Sequence, residues 1–283
     1  MPLEYSITYS AENHYENLVE NAIWQFLIIP EDSDNQSVKD VKFNNSLDSP
    51  VSYSENSQGF RTIRVTPGQP FKDISFTASF KLVKEQVNPF DFIPPQDPEK
   101  DYSTLESLEF RVDHDSYLRP TSYTTLPINS EPGFQWNREQ DIFTNIQELN
   151  SWVYEYIKFT PGVTTVETTL EELFKHRKGV CQDFTHLFLA LVRKHRIPAR
   201  YVSGYLHQGS GYFGDSQMHA WAEVYIPRVG WVGFDPTNNL LVGSNHIKVA
   251  HGRDYSECSP LTGVLYTLGE NRTSHAVQVA CQQ

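Results

Sequence analysis

Cys181-Gln182-Asp183-Phe184-Thr185-His186-Leu187-Phe188-Leu189-Ala190-Leu191-Val192 lies between a glycine turn, Lys178-Gly179-Val180, and the pair Ile197-Pro198. A run this apolar reads as a helix buried in a domain core. Proline disfavours helix at the residue before it, so the helix ends near Ile197, and Ala199 to Leu206 then reads as a strand. The polar residues of the run gather at its start. There Cys181 opens the helix, where unpaired backbone N–H groups and the helix dipole favour the negative charge of a thiolate.

Downstream, a glycine-rich loop from His207 to Gln217 leads into His219-Ala-Trp-Ala-Glu-Val-Tyr-Ile226. Its alternation and bulky side chains predict a strand. Pro227-Arg-Val-Gly230 turns the chain into Trp231-Val-Gly-Phe-Asp235, completing a hairpin, and strand-like runs follow at Ile247 to Ala250, Val264 to Leu268 and His275 to Val279. Upstream, Thr169 to Arg177 reads as a short helix. From Asn137 to Phe159 the apolar positions Ile142, Phe143, Ile146, Leu149, Val153, Tyr156 and Ile157 recur at helical spacing. Helices followed by an antiparallel sheet make this part of the chain α+β.

The first 88 residues read differently. Short strands are expected at Leu3 to Ser10, Ala22 to Ile29, Val38 to Phe43, Val51 to Ser54, Phe60 to Val65 and Ile74 to Val83. In the last of these, Phe76, Ala78, Phe80 and Leu82 share one face. A small antiparallel β-sandwich over 1–88 is the simplest arrangement, and nothing in it groups into a reactive cluster. Residues 89–101, rich in proline and acid, read as a linker. Residues 102–283 are then the second, chemical domain.

Lys and Arg number 23 against 35 Asp and Glu, a formal charge of -12 that repels phosphate backbones and anionic headgroups, so neither nucleic acid nor membrane is an expected partner. The start, Met1-Pro2-Leu3-Glu4-Tyr5, has no basic segment followed by an apolar one, and no run approaches a membrane span; a cytoplasmic location is expected. Three cysteines, Cys181, Cys258 and Cys281, are an odd number without a CxxC pair, which fits neither a disulfide framework nor a zinc ribbon.

A nucleophilic cysteine needs a histidine that shares its proton and a third group that orients the histidine. His219 begins one strand of the hairpin and Asp235 ends the next, so the turn decides whether they meet. With Pro227 to Gly230 as the loop, Asp235 faces Ala222 and points away from His219. With Pro227 to Val229 as the loop, Asp235 faces Trp221 and becomes a diagonal neighbour of His219. The triad requires that register or a bulge. Taken singly, each residue has an ordinary structural reading: a core cysteine, a sheet-end histidine, and a turn-forming Asp235-Pro236. Cys181, Asp183 and His186 do not make a metal site, because Cys181 and Asp183 diverge by about 200° around the helix.

Three segments carry a resemblance: Leu170 to His186 with Arg196 to Tyr205, Met218 to Tyr225, and Gly230 to Asn238. They resemble the nucleophile helix and the histidine and aspartate motifs of transglutaminase-like proteins, in that family's order, over roughly residues 140 to 255 including His251-Gly-Arg-Asp-Tyr255. Residues 3 to 88 are similar, more weakly, to the β-rich region that bacterial members carry before their catalytic domain. The resemblance implies a papain-like, transglutaminase-core α+β domain, a Cys181–His219–Asp235 triad, a thioester on Cys181, a peptide or protein substrate, and no cofactor or metal. Asp183 and His186 also match the helix pattern and are expected as structural polar partners; Trp221 is a candidate to line the cleft, and Trp152 is expected in the core. Hydrolysis, as by a cysteine peptidase or amidase, is favoured over transfer to an amine because no calcium-loop pattern of the D-x-[DN]-x-[DN]-G type appears. A non-catalytic binding or assembly module on the same fold is the remaining alternative.

Overall fold

The computed structural model describes residues 2–93, 97–128, 130, 133–207 and 217–282. Of the glycine-rich loop expected from His207 to Gln217, residues 208–216 lie outside the described residues. In chain order the strands β1 (Leu3–Val19), β2 (Asn21–Phe26), β3 (Gln36–Asn45), β4 (Val51–Glu55), β5 (Arg61–Val65) and β6 (Phe71–Lys84) come first. Then follow α1 (Pro98–Glu106), α2 (Leu108–Asp113), α3 (Asp115–Leu118), α4 (Ile142–Tyr156), β7 (Lys158–Phe159), α5 (Leu170–His176), β8 (Lys178–Gly179) and α6 (Cys181–Lys194). The chain closes with β9 (Ala199–Leu206), β10 (His219–Ile226), β11 (Gly230–Asp235), β12 (Leu240–Leu241), β13 (His246–Gly252), α7 (Tyr255–Cys258), β14 (Leu261–Tyr266) and β15 (Asn271–Gln282).

Two four-stranded sheets, β15-β1-β6-β3 and β14-β2-β5-β4, bury their facing sides against each other. The alternation read from the sequence is what makes this work: Phe76, Ala78, Phe80 and Leu82 are all buried. Phe76 meets Trp24 at 5.3 Å and Phe26 at 4.8 Å between ring centres, joining the sheets by edge-to-face aromatic packing.

The expected division at 102–283 needs correcting on one point. β15 pairs antiparallel with β1 from Glu4–Gln282 to Tyr15–Asn271, and β14 pairs with β2, so the last two strands return to the N-terminal sheets. Both are sheet edges whose own side chains are largely exposed, which is why their weak patterning gave no sign of their partners. A second correction concerns the linker: Pro98 opens α1, with Asp97 capping it by accepting a hydrogen bond from the Lys100 N–H at 3.1 Å. Proline at the first helical position loses no hydrogen bond, so its presence did not argue against helix there.

The second layer system is a five-stranded antiparallel sheet, β12-β11-β10-β9-β13, with α6 packed on β9 and β10 and α4 packed on α6 and β11. α4 presents Ile142, Phe143, Ile146, Leu149 and Val153 to this core and is capped by Asp141, which accepts from the Thr144 N–H at 2.9 Å. Phe188 of α6 and Phe143 of α4 both meet Phe234 of β11. The sandwich docks on the open edge of this sheet: the Tyr205 hydroxyl donates to the Ile28 carbonyl at 2.6 Å, and the Gln36 amide donates to the Lys248 carbonyl at 2.8 Å. None of the helices among the described residues is long and apolar enough to cross a membrane.

Candidate active site

Cys181 occupies the first position of α6, half-buried, where the helix geometry provides no internal acceptor for the leading N–H groups. The turn that delivers it is locked from inside the helix. Asp183 accepts hydrogen bonds at Oδ2 from the Val180 N–H and the Thr164 hydroxyl, each at 2.8 Å. Gly179 is required because a Cβ there would lie 2.5 Å from that carboxylate oxygen. Burial raises the proton affinity of Asp183, and the Val180 and Thr164 donors oppose it. Asp183 therefore ties the turn and the preceding loop to the helix.

His186 has the same kind of role. Its ring stacks on Tyr123 at 5.1 Å, and Nε2 accepts from the Tyr255 N–H at 3.2 Å. Burial pushes its proton affinity down to about 3, so it stays neutral. The bond also gives a reason for the His251 to Tyr255 segment to follow the motif strands: Asp254 caps α7 and sets the Tyr255 amide against α6.

The hairpin adopts the register that brings His219 and Asp235 together. Ile226 pairs with Gly230 and Ala222 with Phe234, leaving Pro227 to Val229 as the loop and placing Asp235 next in line, across from Trp221. Val229 closes the turn to Ile226, and Arg228 and Gly230 take up positive φ. His219 Nε2 then sits 2.8 Å from Asp235 Oδ2, both side chains fully buried.

Asp235 is surrounded by donors. Oδ1 accepts from the Thr237 N–H at 3.0 Å and the Asn238 N–H at 3.2 Å; Oδ2 accepts from the Asn238 amide at 2.9 Å as well as from His219. Burial alone would favour the neutral acid, but the charge and hydrogen bond of His219, followed by those of His246, hold the carboxyl well below the usual carboxylate range. The converse applies to His219. Burial would lower its proton affinity, yet Asp235 and then Cys181 outweigh burial and raise it above the usual imidazole range. Its Nδ1 is buried without a well-formed hydrogen bond among the described residues, and with Nε2 occupied it is the nitrogen free to face Cys181.

His246, not singled out by the sequence, is the fourth member of this group, with Nε2 3.2 Å from Asp235 Oδ2. It is the first residue of β13, and only the crossing of β13 to the far side of β9 brings it under Asp235. No local motif announces it. His219, Asp235 and His246 offer ligand atoms within 4.8 Å of one another, the spacing of a metal site. The donor chemistry fits a hydrogen-bond network better: the Gly243 N–H approaches His246 Nδ1 at 3.4 Å, which assigns the ring proton to Nε2, where a metal would need a lone pair.

Trp221 does not line an open cleft. It is 1% exposed, meets His246 edge-on at 5.3 Å, and lies over Gly204, where a Cβ would come within 2.4 Å of the indole. It points to the same sheet face as the polar group and serves as its apolar floor. Trp152 is half-buried, stacked on Tyr156 at 4.5 Å. Gln182, beside the cysteine, donates to the Val166 carbonyl at 3.1 Å and so ties the preceding loop to α6.

Residues 135–236 match the family model of the transglutaminase-like superfamily. An uncharacterized protein of Mycobacterium tuberculosis is 40% identical over 135 residues, 44% of this chain and 43% of its own length, so the match spans less than half of that relative. An uncharacterized protein of Mycobacterium leprae is 31% identical over 185 residues, 63% of this chain and 65% of its own. A protein-glutamine gamma-glutamyltransferase of Pseudomonas aeruginosa is 32% identical over 98 residues, 32% of this chain and 14% of its own. Among solved structures, a candidate cysteine protease from Cytophaga hutchinsonii superposes with a TM-score of 0.78 at 18% identity, covering 100% of this chain and 92% of its own, which establishes a shared fold.

Proposed function

We propose, for a chain that carries a transglutaminase-like core over residues 135–236, that Cys181, His219 and Asp235 form a triad for thiol-dependent acyl transfer, with hydrolysis of a peptide or amide bond as its reaction. The observation that supports this most is the fully buried His219–Asp235 pair at 2.8 Å, with Cys181 acting on the same imidazole from the start of a helix. A buried histidine with raised proton affinity is suited to persist as an imidazolium beside a thiolate.

In this reading the Cys181 sulfur attacks the carbonyl carbon, and the C–N bond breaks as His219 gives its proton to the leaving amine. The Cys181 N–H, at the helix start, is placed to stabilise the developing oxyanion. Water then attacks the thioester, passing a proton back to His219, and the C–S bond breaks to release the acid and restore the Cys181 thiolate beside the His219 imidazolium. Asp235 holds the imidazole in the tautomer and orientation both steps need. Nothing in these steps calls on a metal or cofactor.

An amine acceptor in place of water is the second reading, supported by the Pseudomonas aeruginosa relative, a protein-glutamine gamma-glutamyltransferase with which 32% of this chain aligns. The chemistry at Cys181 is common to both. Iodoacetamide labelling between about pH 5 and 8 with mass mapping tests the shared step. Labelling of Cys181 ahead of Cys258 and Cys281 at the acid end, slowed in His219→Ala, is the expected result. Equal labelling of all three, indifferent to His219, would sink the enzyme reading and leave a binding module. Adding a primary amine to an amide substrate then separates the acceptors, since transfer yields the amine conjugate and hydrolysis the free acid.

A further inference from the structure

His246 lies outside the three residues a thiol triad uses, yet it shares an oxygen with one of them. Asp235 Oδ2 receives the Nε2 of both imidazoles, at 2.8 Å from His219 and 3.2 Å from His246. We infer that His246 is a positioning residue, which rests on the triad reading above: its Nε2–H holds the Asp235 carboxylate on His219, and it is itself held from the N-terminal sheet by Lys84.

Three features make His246 a fixed neutral donor. The Gly243 N–H at Nδ1 assigns its proton to Nε2. Burial pushes its proton affinity down, against the pull of Asp235, and the neighbouring His219 and Lys84 push the same way as burial. A neutral donor strengthens the carboxylate without adding a second positive charge to compete with the imidazolium of His219. Finally, its backbone is clamped: Lys84, the last residue of β6, donates from Nζ to the His246 carbonyl.

Lys84 is buried, and the strand it ends pairs with both β1 and β3, so it is a rigid arm of the sandwich. The sandwich thereby reaches the candidate triad through two side chains. Among the described residues, His219 of β10 acts on both Asp235 and His246, Lys84 of β6 acts on His246, Cys181 of α6 acts on His219, and Lys84 in turn faces Glu223, Lys248 and Glu31. Without the His246 donor, the buried Asp235 carboxylate is easier to protonate, and an Asp235 that takes a proton no longer supports a charged His219.

The test uses the full chain and the rate of Cys181 alkylation by iodoacetamide from about pH 4 to 9. Wild type against His219→Ala asks whether the triad exists; a profile that ignores His219 removes the triad and this inference with it. Given a His219-dependent profile, His246→Leu is expected to move the acid limb up by about one pH unit, roughly a tenfold slower reaction at acid pH. His246→Gln places an amide N–H where Nε2–H was and is expected to restore the rate to within about twofold. Leu and Gln variants with one common profile, whether wild-type or slow, would show that His246 contributes only bulk. Should His246→Leu not fold, His246→Asn takes its place, because its shorter amide does not reach Asp235; an Asn profile equal to that of Gln overturns the inference.

Discussion

In the sandwich, the facing sides of two four-stranded sheets bury the rings of Trp24, Phe26, Phe71 and Phe76, whereas one end of the five-stranded sheet buries His219, Asp235 and His246. Both regions are buried, and burial is tolerated in each for opposite reasons. A buried aromatic or aliphatic side chain stabilises the fold by about 1.5–3 kcal/mol through removal of apolar area from water. A buried carboxylate costs several kcal/mol unless its oxygens are paired, and Asp235 offsets that cost with donors from His219, His246, Thr237 and Asn238. One region is held by area, the other by geometry, and they should respond to different perturbations.

The sharpest way to break the contrast is Cys181→Ala. Turnover of an amide substrate is expected to fall by about 10^4-fold, with the thermal midpoint within about 2 °C of wild type, since the half-buried thiol adds little to the core. Loss of the fold along with the activity would erase the distinction. Phe76→Ala is the opposite probe: it removes a ring packed on Trp24, Phe26 and Phe43 and is expected to cost about 3–5 kcal/mol in chemical denaturation. Cys181 alkylation per folded molecule should stay within about twofold.

Lys84 sharpens the comparison because it belongs to the sandwich but touches the polar region. Burial, opposed by the charge of Glu223, pulls its proton affinity from 10.5 to about 8. The unfolded chain therefore binds more protons than the folded one between those values, and stability rises as pH climbs through that window. Urea unfolding at about pH 7.5 and again near 10.5 should show a gain of up to about 3 kcal/mol in wild type that Lys84→Met lacks. Identical pH dependence in the two proteins would mean the amine is not desolvated. The smallest effect is expected of His186→Phe, which leaves the Tyr255 N–H without its acceptor: about 1–2 kcal/mol of stability, and alkylation of Cys181 within about twofold. A loss comparable to that of His219→Ala would give His186 a part in the chemistry.

Much of this could be read along the chain because the signals are local. α6 was visible from a continuous apolar run after a glycine turn, and β6 from its alternation. The hairpin carried enough information to pose the register as a choice between two loops, and the three-residue loop that unites His219 with Asp235 is the one adopted. The helices α1 to α3 were not read, since they bury few residues, chiefly Asp101, Tyr102, Leu105 and Phe110, and present almost no apolar stripe. Trp221 shows the limit in another form: a bulky residue two positions from His219 must share its face, but whether that face is open or covered depends on β13 and Gly204.

The sequence by itself determined the elements around Cys181, the order Cys181, His219, Asp235, and the contrast between the alternating strands of the first 88 residues and the helical segments around Cys181, because each rests on periodicity or on residues close in the chain. Tertiary structure alone decided that β14 and β15 return to complete the sandwich and that His246 meets Asp235 with Lys84 behind it. Those contacts join positions far apart in the chain, 162 residues between Lys84 and His246 and 278 between Glu4 and Gln282. Their pairing is set by which edges and buried polar atoms are left unsatisfied once the sheets have formed, a condition no local pattern encodes.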